Sequence, residues 1–380
     1  FWLHLFTGCS AGLIIFVMCV TGSMLGFEKQ ITRFSERNRR VVDFQPGAKK
    51  LPMAELLSRV KEQNGILPDG ISIQSNPESA VMFMIGRESV LYLNPYTGNI
   101  LGGGSTSVRK LFRTVTNIHR WLTTGEQNRE AGRSITGVCN AAFLLLATSG
   151  LYLWWPNKWH VQKLRGITWF QRKLRGRARD FNWHNTIGFW CAPVLIVLTL
   201  SGLIMSYQWA NNLLYSLSGS EKPSLSAGNN RPGTSSNQNE IPDNLEDLMA
   251  RAQTNFPGWK TITMRIPAAG SSSVTFAVEA NESINPFARS EITLNSKTGE
   301  TIKKQSYNSN NSGRKLRIWA RGLHTGEALR VPGQIAAFIA STGGAFLVFT
   351  GLSLALRRLK KYQQKQTNIR NYEERYQNLV

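Results

Sequence analysis

Four apolar runs interrupt an otherwise polar chain, at residues 5–27, 135–155, 186–209 and 335–356. Each approaches or exceeds the roughly 20 residues that a helix needs to cross a bilayer, so the pattern predicts four transmembrane helices. The first run is too long for the apolar core of a signal peptide and has no A-x-A-like site before Glu28, so it is read as a retained helix. The first and third runs share a layout. A histidine leads each (His4, His184), a glycine follows four residues on (Gly8, Gly188), and a Thr-Gly or Ser-Gly pair closes each (Thr21-Gly22, Ser201-Gly202), every equivalent pair being 180 residues apart.

The long polar segments repeat as well. In the first, residues 53–64 show helical apolar spacing and residues 71–74, 80–85 and 90–93 alternate like strands, ending in an Asn94-x-x-Thr97-Gly98 turn. In the second, a helix is expected at 245–255, strands at 261–266, 273–279 and 290–294, and the turn recurs as Asn295-x-x-Thr298-Gly299. These turns are 201 residues apart, as are Gly125-Glu126 and Gly326-Glu327, and Ser149-Gly150 and Thr350-Gly351. The chain therefore reads as one helix–domain–helix unit written twice in parallel, with halves related by a pseudo-twofold axis along the membrane normal. The 21 extra residues of the second copy fall most simply in the Ser/Asn-rich loop 216–239.

A net charge of +22 over 380 residues raises the question of nucleic acid. The distribution answers it. Lys158, Lys163, Arg165, Arg172, Lys173, Arg175, Arg177 and Arg179 crowd the short loop between the second and third runs, and Arg357, Arg358, Lys360 and Lys361 follow the fourth. That is the positive-inside pattern, and anionic lipid rather than nucleic acid is the expected partner. It puts this loop and both termini in the cytoplasm and the long segments outside. All four cysteines (Cys9, Cys19, Cys139, Cys191) lie in apolar runs, which excludes disulfides from the outer segments and makes them small buried hydrophobes.

Five histidines carry the candidate chemistry. His4 and His184 stand at the cytoplasmic ends of their helices; His119 and His324 stand just before the second and fourth runs, on the outer side. Two pairs, one at each face, are a ligand arrangement, because bundle cores build sites from residues on facing helices. A zinc site wants four ligands, no H-E-x-x-H is present, and no acid adjoins His4 or His184. Two axial imidazoles and an apolar slot suffice for a b-type haem, with nearby glycines admitting the flat ring. Two haems are needed because one cannot bridge about 30 Å of hydrocarbon. One discrepancy stands: relative to Gly125 and Gly326, His119 lies four residues further upstream than His324, about one helical turn. His160, beside Trp159, has no repeat partner and reads as an interfacial anchor. Gly102-Gly103-Gly104-Ser105 lacks the Gly-Lys-Ser/Thr of a phosphate loop, no dinucleotide fingerprint is present, and Asn281-Glu-Ser is a glycosylation sequon by composition only. Trp121, Trp319 and Arg321 flank the outer histidines as belt residues or as an external substrate surface.

In Leu3-His4…Gly8, Ile118-His119-Arg120-Trp121, Trp183-His184…Gly188, Leu323-His324-Thr325-Gly326 and the two domains ending in Thr-Gly turns, the chain resembles the PepSY-associated transmembrane family over nearly its whole length. Within it, the likeness is to inner-membrane ferric-siderophore (ferrioxamine) reductases. That resemblance implies a mainly α membrane protein of the bacterial inner membrane, with four transmembrane helices as a duplicated helix–domain–helix unit and two periplasmic α+β PepSY-like domains. It implies two b-type haems and electron transfer to iron held in a siderophore. The expected layout is a transmembrane helix at 1–27, a periplasmic domain at 28–118, the outer-histidine segment and second helix at 119–155, a cytoplasmic loop at 156–183, the third helix at 184–209, a second domain at 210–320, the outer-histidine segment and fourth helix at 321–356, and a cytoplasmic tail at 357–380. His4 and His184 are the expected axial ligands of the cytoplasmic-side haem and His119 and His324 of the periplasmic-side haem; no catalytic residue beyond the haems is expected. Expected partners are a ferric siderophore, a quinol or cytoplasmic reductase as electron donor, and the lipid bilayer. The alternatives are a siderophore or iron permease, disfavoured by the lack of a broken-helix pair, and a haem-free PepSY regulatory or binding protein.

Overall fold

A computed structural model describes all residues except 87–88, 124, 156–160, 223–238, 281–284 and 378–380. His160, the Asn281 sequon and most of the Ser/Asn-rich loop lie outside the described residues. The helices are α1 (Trp2–Leu25), α2 (Glu28–Ser35), α3 (Arg37–Arg40), α4 (Met53–Asn64), α5 (Thr106–Trp121), α6 (Arg129–Trp154), α7 (Val161–Thr168), α8 (Gly176–Ser206), α9 (Gln208–Leu217), α10 (Leu245–Asn255), α11 (Ser312–His324) and α12 (Arg330–Gln377). The strands are β1 (Gly70–Gln74), β2 (Val81–Ile85), β3 (Ser89–Leu93), β4 (Ile100–Gly103), β5 (Trp259–Arg265), β6 (Ser273–Ala280), β7 (Ser290–Asn295) and β8 (Thr301–Gln305). They form two compact units, one of residues 1–26, 115–211 and 323–380, the other of residues 27–114 and 212–322.

The first unit is a helix bundle. Among the described residues four helices are long and apolar enough to cross a membrane: α1, α6, α8 and the apolar part of α12. α1 and α8 each pack between α6 and α12, so the repeat exchanges α1 with α8 and α6 with α12. Small residues allow close approach, as in membrane helix pairs generally. A Cβ at Gly343 would collide with Cys191 Sγ, and one at Gly344 would stand 2.7 Å from Cys19 Sγ. Cys19, Cys139 and Cys191 are buried and free, as small hydrophobes; Cys9 is exposed. The same clamp closes both halves. Arg133 Nη2, near the start of α6, donates to the Ser206 carbonyl at 2.6 Å, and Gln334 Nε2, near the start of α12, donates to the Gly26 carbonyl at 2.8 Å. α12 has 48 residues, about 72 Å of helix, and runs well past its apolar stretch.

The second unit is built on one eight-stranded sheet in the order β4-β3-β2-β1-β5-β6-β7-β8. The two α+β repeats are thus joined edge to edge: β1 pairs antiparallel with β5 from Gly70↔Arg265 to Gln74↔Thr261. Leu56, Leu57 and Val60 of α4, with Leu248, Met249 and Ala252 of α10, share a core with Ile71, Phe83, Leu93, Ile262, Phe276, Ile292 and Leu294. Both Asn-x-x-Thr-Gly turns form as the sequence suggests. Asn94 Oδ1 accepts from the Tyr96 N–H at 2.9 Å and Asn295 Oδ1 from the Lys297 N–H at 2.9 Å, with Gly98 and Gly299 at φ +70° and +69°. β4 and β8, which follow these turns, carry too little apolar alternation to be expected.

The extra length of the second copy is divided. α4 and α10 begin 192 residues apart, at Met53 and Leu245, whereas β3 and β7 begin 201 apart, at Ser89 and Ser290. Twelve residues are therefore added before α10 and nine between α10 and β7; six of the nine lie in the β6–β7 connection, which has nine residues (281–289) against three (86–88) between β2 and β3.

Candidate functional site: two facing histidine pairs

The bundle brings the four histidines together as two pairs. The rings of His4 on α1 and His184 on α8 have centroids 6.4 Å apart, and those of His119 on α5 and His324 on α11 are also 6.4 Å apart. Each pair takes one histidine from each repeat.

The four histidines are held by one device. His4 Nδ1 meets Ser149 Oγ at 2.9 Å, His184 Nδ1 meets Thr350 Oγ1 at 2.9 Å, His119 Nδ1 meets Thr21 Oγ1 at 2.9 Å, and His324 Nδ1 meets Ser201 Oγ at 3.1 Å. In every case the residue after the hydroxyl is a glycine, and its bare Cα faces the ring. A Cβ at Gly150 would be 3.5 Å from His4 Cε1, at Gly351 3.3 Å from His184 Cε1, at Gly22 3.2 Å from His119 Cε1 and at Gly202 3.2 Å from His324 Cε1. The sequence marks all four Ser/Thr-Gly pairs as points of the repeat, but only the fold shows that they are the seats of the histidines. A Cβ at Gly8 would stand 3.8 Å from Leu146 and one at Gly188 3.6 Å from Leu347.

The four-residue discrepancy also finds its cause. His119 lies 19 residues after the start of β4 and 10 before the start of α6; His324 lies 23 after the start of β8 and 6 before the start of α12. The segment bearing the second histidine is shifted as a block, with four residues added on one side and four removed on the other. The signal was present in sequence as Arg109-Lys110-Leu111…His119 and Arg314-Lys315-Leu316…His324, equally spaced. His119 and His324 are therefore structural equivalents.

Two imidazoles sharing one metal at about 2.0–2.1 Å per nitrogen, with about 1.1 Å more to each ring centre, have centres about 6.3 Å apart, and both pairs stand at that separation. Among the described residues no group of three or more His, Cys, Asp or Glu comes together. Each pair thus offers two imidazole nitrogens, a donor set that fits an iron whose other ligands come from a macrocycle; a tetrahedral zinc would need two further ligands. Asp180, the one acid of the basic stretch, lies a turn from His184 but is engaged with Arg179, Ser353 and Arg357, at 2.9, 2.9 and 3.2 Å.

Of the flanking residues, Trp121 has the Arg120 and Arg129 guanidiniums over its ring, at 4.7 and 4.5 Å. Trp319 and Arg321 have partners inside the sheet unit: Trp319 Nε1 donates to Tyr307 Oη at 3.1 Å and Arg321 covers the Phe287 ring at 4.4 Å. The glycine-rich stretch at 102–105 does cradle an anion, the protein's own Glu36. Its carboxylate, fully buried, accepts from the Ser105 N–H at 3.0 Å, from Arg109 at 2.7 and 2.9 Å and from Tyr92 Oη at 2.8 Å.

The family profile of the PepSY-associated TM region matches residues 1–358. The chain belongs to this family. No curated protein matches it. As a PepSY-associated membrane protein it combines four membrane helices with a β-sheet unit, and the bilayer is its first partner.

Proposed function

We propose that this PepSY-associated protein is a dihaem oxidoreductase of the bacterial inner membrane, carrying electrons from the cytoplasmic side to the periplasm, where a ferric siderophore is reduced and its iron released. The reading rests on one observation: two histidine pairs, each drawn from both repeats, with ring centres 6.4 Å apart and glycines against every ring. His4 and His184 would hold one b-type haem and His119 and His324 the other, each through Nε2, since Nδ1 is engaged by a hydroxyl. The bound iron supplies a one-electron Fe(III)/Fe(II) couple. The apolar bundle between the pairs keeps water away and fixes their spacing. Basic residues around Arg177, Arg179, Arg357 and Arg358 mark the end at which a quinol or a reductase delivers electrons. One electron converts chelated Fe(III) to Fe(II), which such chelators hold far more weakly.

A dithionite-reduced minus oxidised visible spectrum of the detergent-purified protein, with haem quantified per chain, tests this. The expected result is a low-spin bis-imidazole spectrum at about two haems per chain, followed by loss of the reduced bands on adding ferric siderophore. Folded protein free of haem, despite haem supplied during expression, would overturn the reading in favour of a regulatory or binding protein.

A further inference from the structure

Each hydroxyl that meets a histidine also has a backbone carbonyl one turn back within reach of its hydrogen. Thr21 Oγ1 donates to the Val17 carbonyl at 2.7 Å, Ser149 Oγ to Leu145 at 2.5 Å, Ser201 Oγ to Val197 at 2.6 Å and Thr350 Oγ1 to Phe346 at 2.8 Å. A hydroxyl has one hydrogen to give. With it on the carbonyl one turn back, the oxygen is left as an acceptor, and the Nδ1 it meets must be the donor. His324 leads to the same conclusion independently, because its Nδ1 also reaches the Leu198 carbonyl at 2.9 Å, and a carbonyl only accepts. A neutral imidazole with its hydrogen on Nδ1 has its lone pair on Nε2.

We propose that Thr21, Ser149, Ser201 and Thr350 are positioning residues that fix the Nδ1–H tautomer of the four histidines and, by accepting that hydrogen, make Nε2 a stronger donor and lower the reduction potential of both iron centres. The inference rests on the dihaem reading above. Its chemistry is general: a ligand histidine that donates its other N–H is held in orientation and gains basicity, and a more basic axial ligand favours ferric over ferrous iron. A low potential suits the task, because a chelator that grips Fe(III) far more tightly than Fe(II) makes the iron hard to reduce. Each Ser/Thr-Gly dipeptide thus does two things, the hydroxyl taking the Nδ1–H and the glycine leaving space for the ring. The two outer seats lie at the far ends of α1 and α8, and the two inner seats at the matching place on α6 and α12.

The test uses the full-length purified protein and reads haem content and midpoint potentials by optical redox titration. Ser149→Ala with Thr350→Val addresses the inner pair, and Thr21→Val with Ser201→Ala the outer. The expected result is near-wild-type haem content, an upward shift of the potential of the altered pair alone, and a smaller shift for Ser201→Ala by itself than for Ser149→Ala, because Leu198 still accepts from His324. Ser149→Thr and Thr350→Ser, which keep the hydroxyl, should hold the wild-type potential. Haem lost on hydroxyl removal in folded protein but kept in these exchanges would equally support the positioning role. Haem retained with unmoved potentials, or exchanges that shift the potential as much as hydroxyl removal, would overturn it. A wild-type protein without haem would instead overturn the dihaem reading, before any variant is measured.

Discussion

At the scale of residues, His4, His119, His184 and His324 are neither adjacent in sequence nor on one element, yet each has an equivalent seat. If the dihaem reading holds, replacing one histidine of a pair should cost that pair its haem and leave the other. His4→Ala or His184→Ala, and separately His119→Ala or His324→Ala, should therefore lower haem content from about two per chain to about one, measured by pyridine haemochrome. Glu36 is a residue-scale case of another kind. Burial opposes its ionisation, but Arg109, Tyr92 and the Ser105 N–H outweigh this and hold its carboxyl below the usual value, while burial helps push the Tyr92 hydroxyl up to about 12. Because the folded value lies below the unfolded one, the carboxylate stabilises the sheet unit at neutral pH, and that stability is lost as the pH falls below about 4. Glu36→Gln should cost about 3–5 kcal/mol by leaving Arg109 without its counter-charge, and should flatten the acid limb of a thermal-stability profile against pH. The sequence shows the four histidines because imidazole is rare and sits beside apolar runs. It hides Glu36, since nothing local says that a carboxylate among Arg37, Arg39 and Arg40 is buried or that its cradle comes from residues near 105.

At the scale of elements, helices and strands with strong apolar periodicity were readable, and α4, α10 and the three longer strands of each repeat lie where their patterns put them. Elements whose faces are set by tertiary contact were not. β4 and β8 are edge strands, and β8 is largely exposed, so neither needs an alternating pattern. α5 and α11 are polar helices whose phase is fixed by the histidine each must present, and compensating four-residue changes at either end preserve that phase against a naive alignment. Close packing in the bundle is an element-scale property too. Gly343 and Gly344 let α12 lie against Cys191 of α8 and Cys19 of α1, so Gly344→Leu should cost about 1–3 kcal/mol through overpacking. The expected readout is a lower detergent melting temperature, with Gly344→Ala milder.

At the scale of the whole molecule, the duplication was evident from the recurring dipeptides, but its seams were not. Register between β1 and β5 is a non-local pairing that no sequence period encodes, and so is the diagonal placement of α1 and α8. Thr263, at the centre of the β1–β5 ladder opposite Ser72, offers a test. Thr263→Pro removes a ladder hydrogen bond from an interior strand and should raise proteolysis of the sheet unit while residues of the bundle stay protected, read by limited digestion and mass spectrometry. Within the bundle each histidine pair takes one member from each repeat, and within the sheet unit the two repeats meet at β1–β5. Neither half of the chain holds a complete pair. An ancestor with a single copy would have had to work as a homodimer, with both sites on its symmetry axis. In the present chain the two members of each pair are encoded separately, so Thr seats one histidine and Ser the other, Thr21 with Ser201 and Thr350 with Ser149, where a homodimer would hold two identical residues.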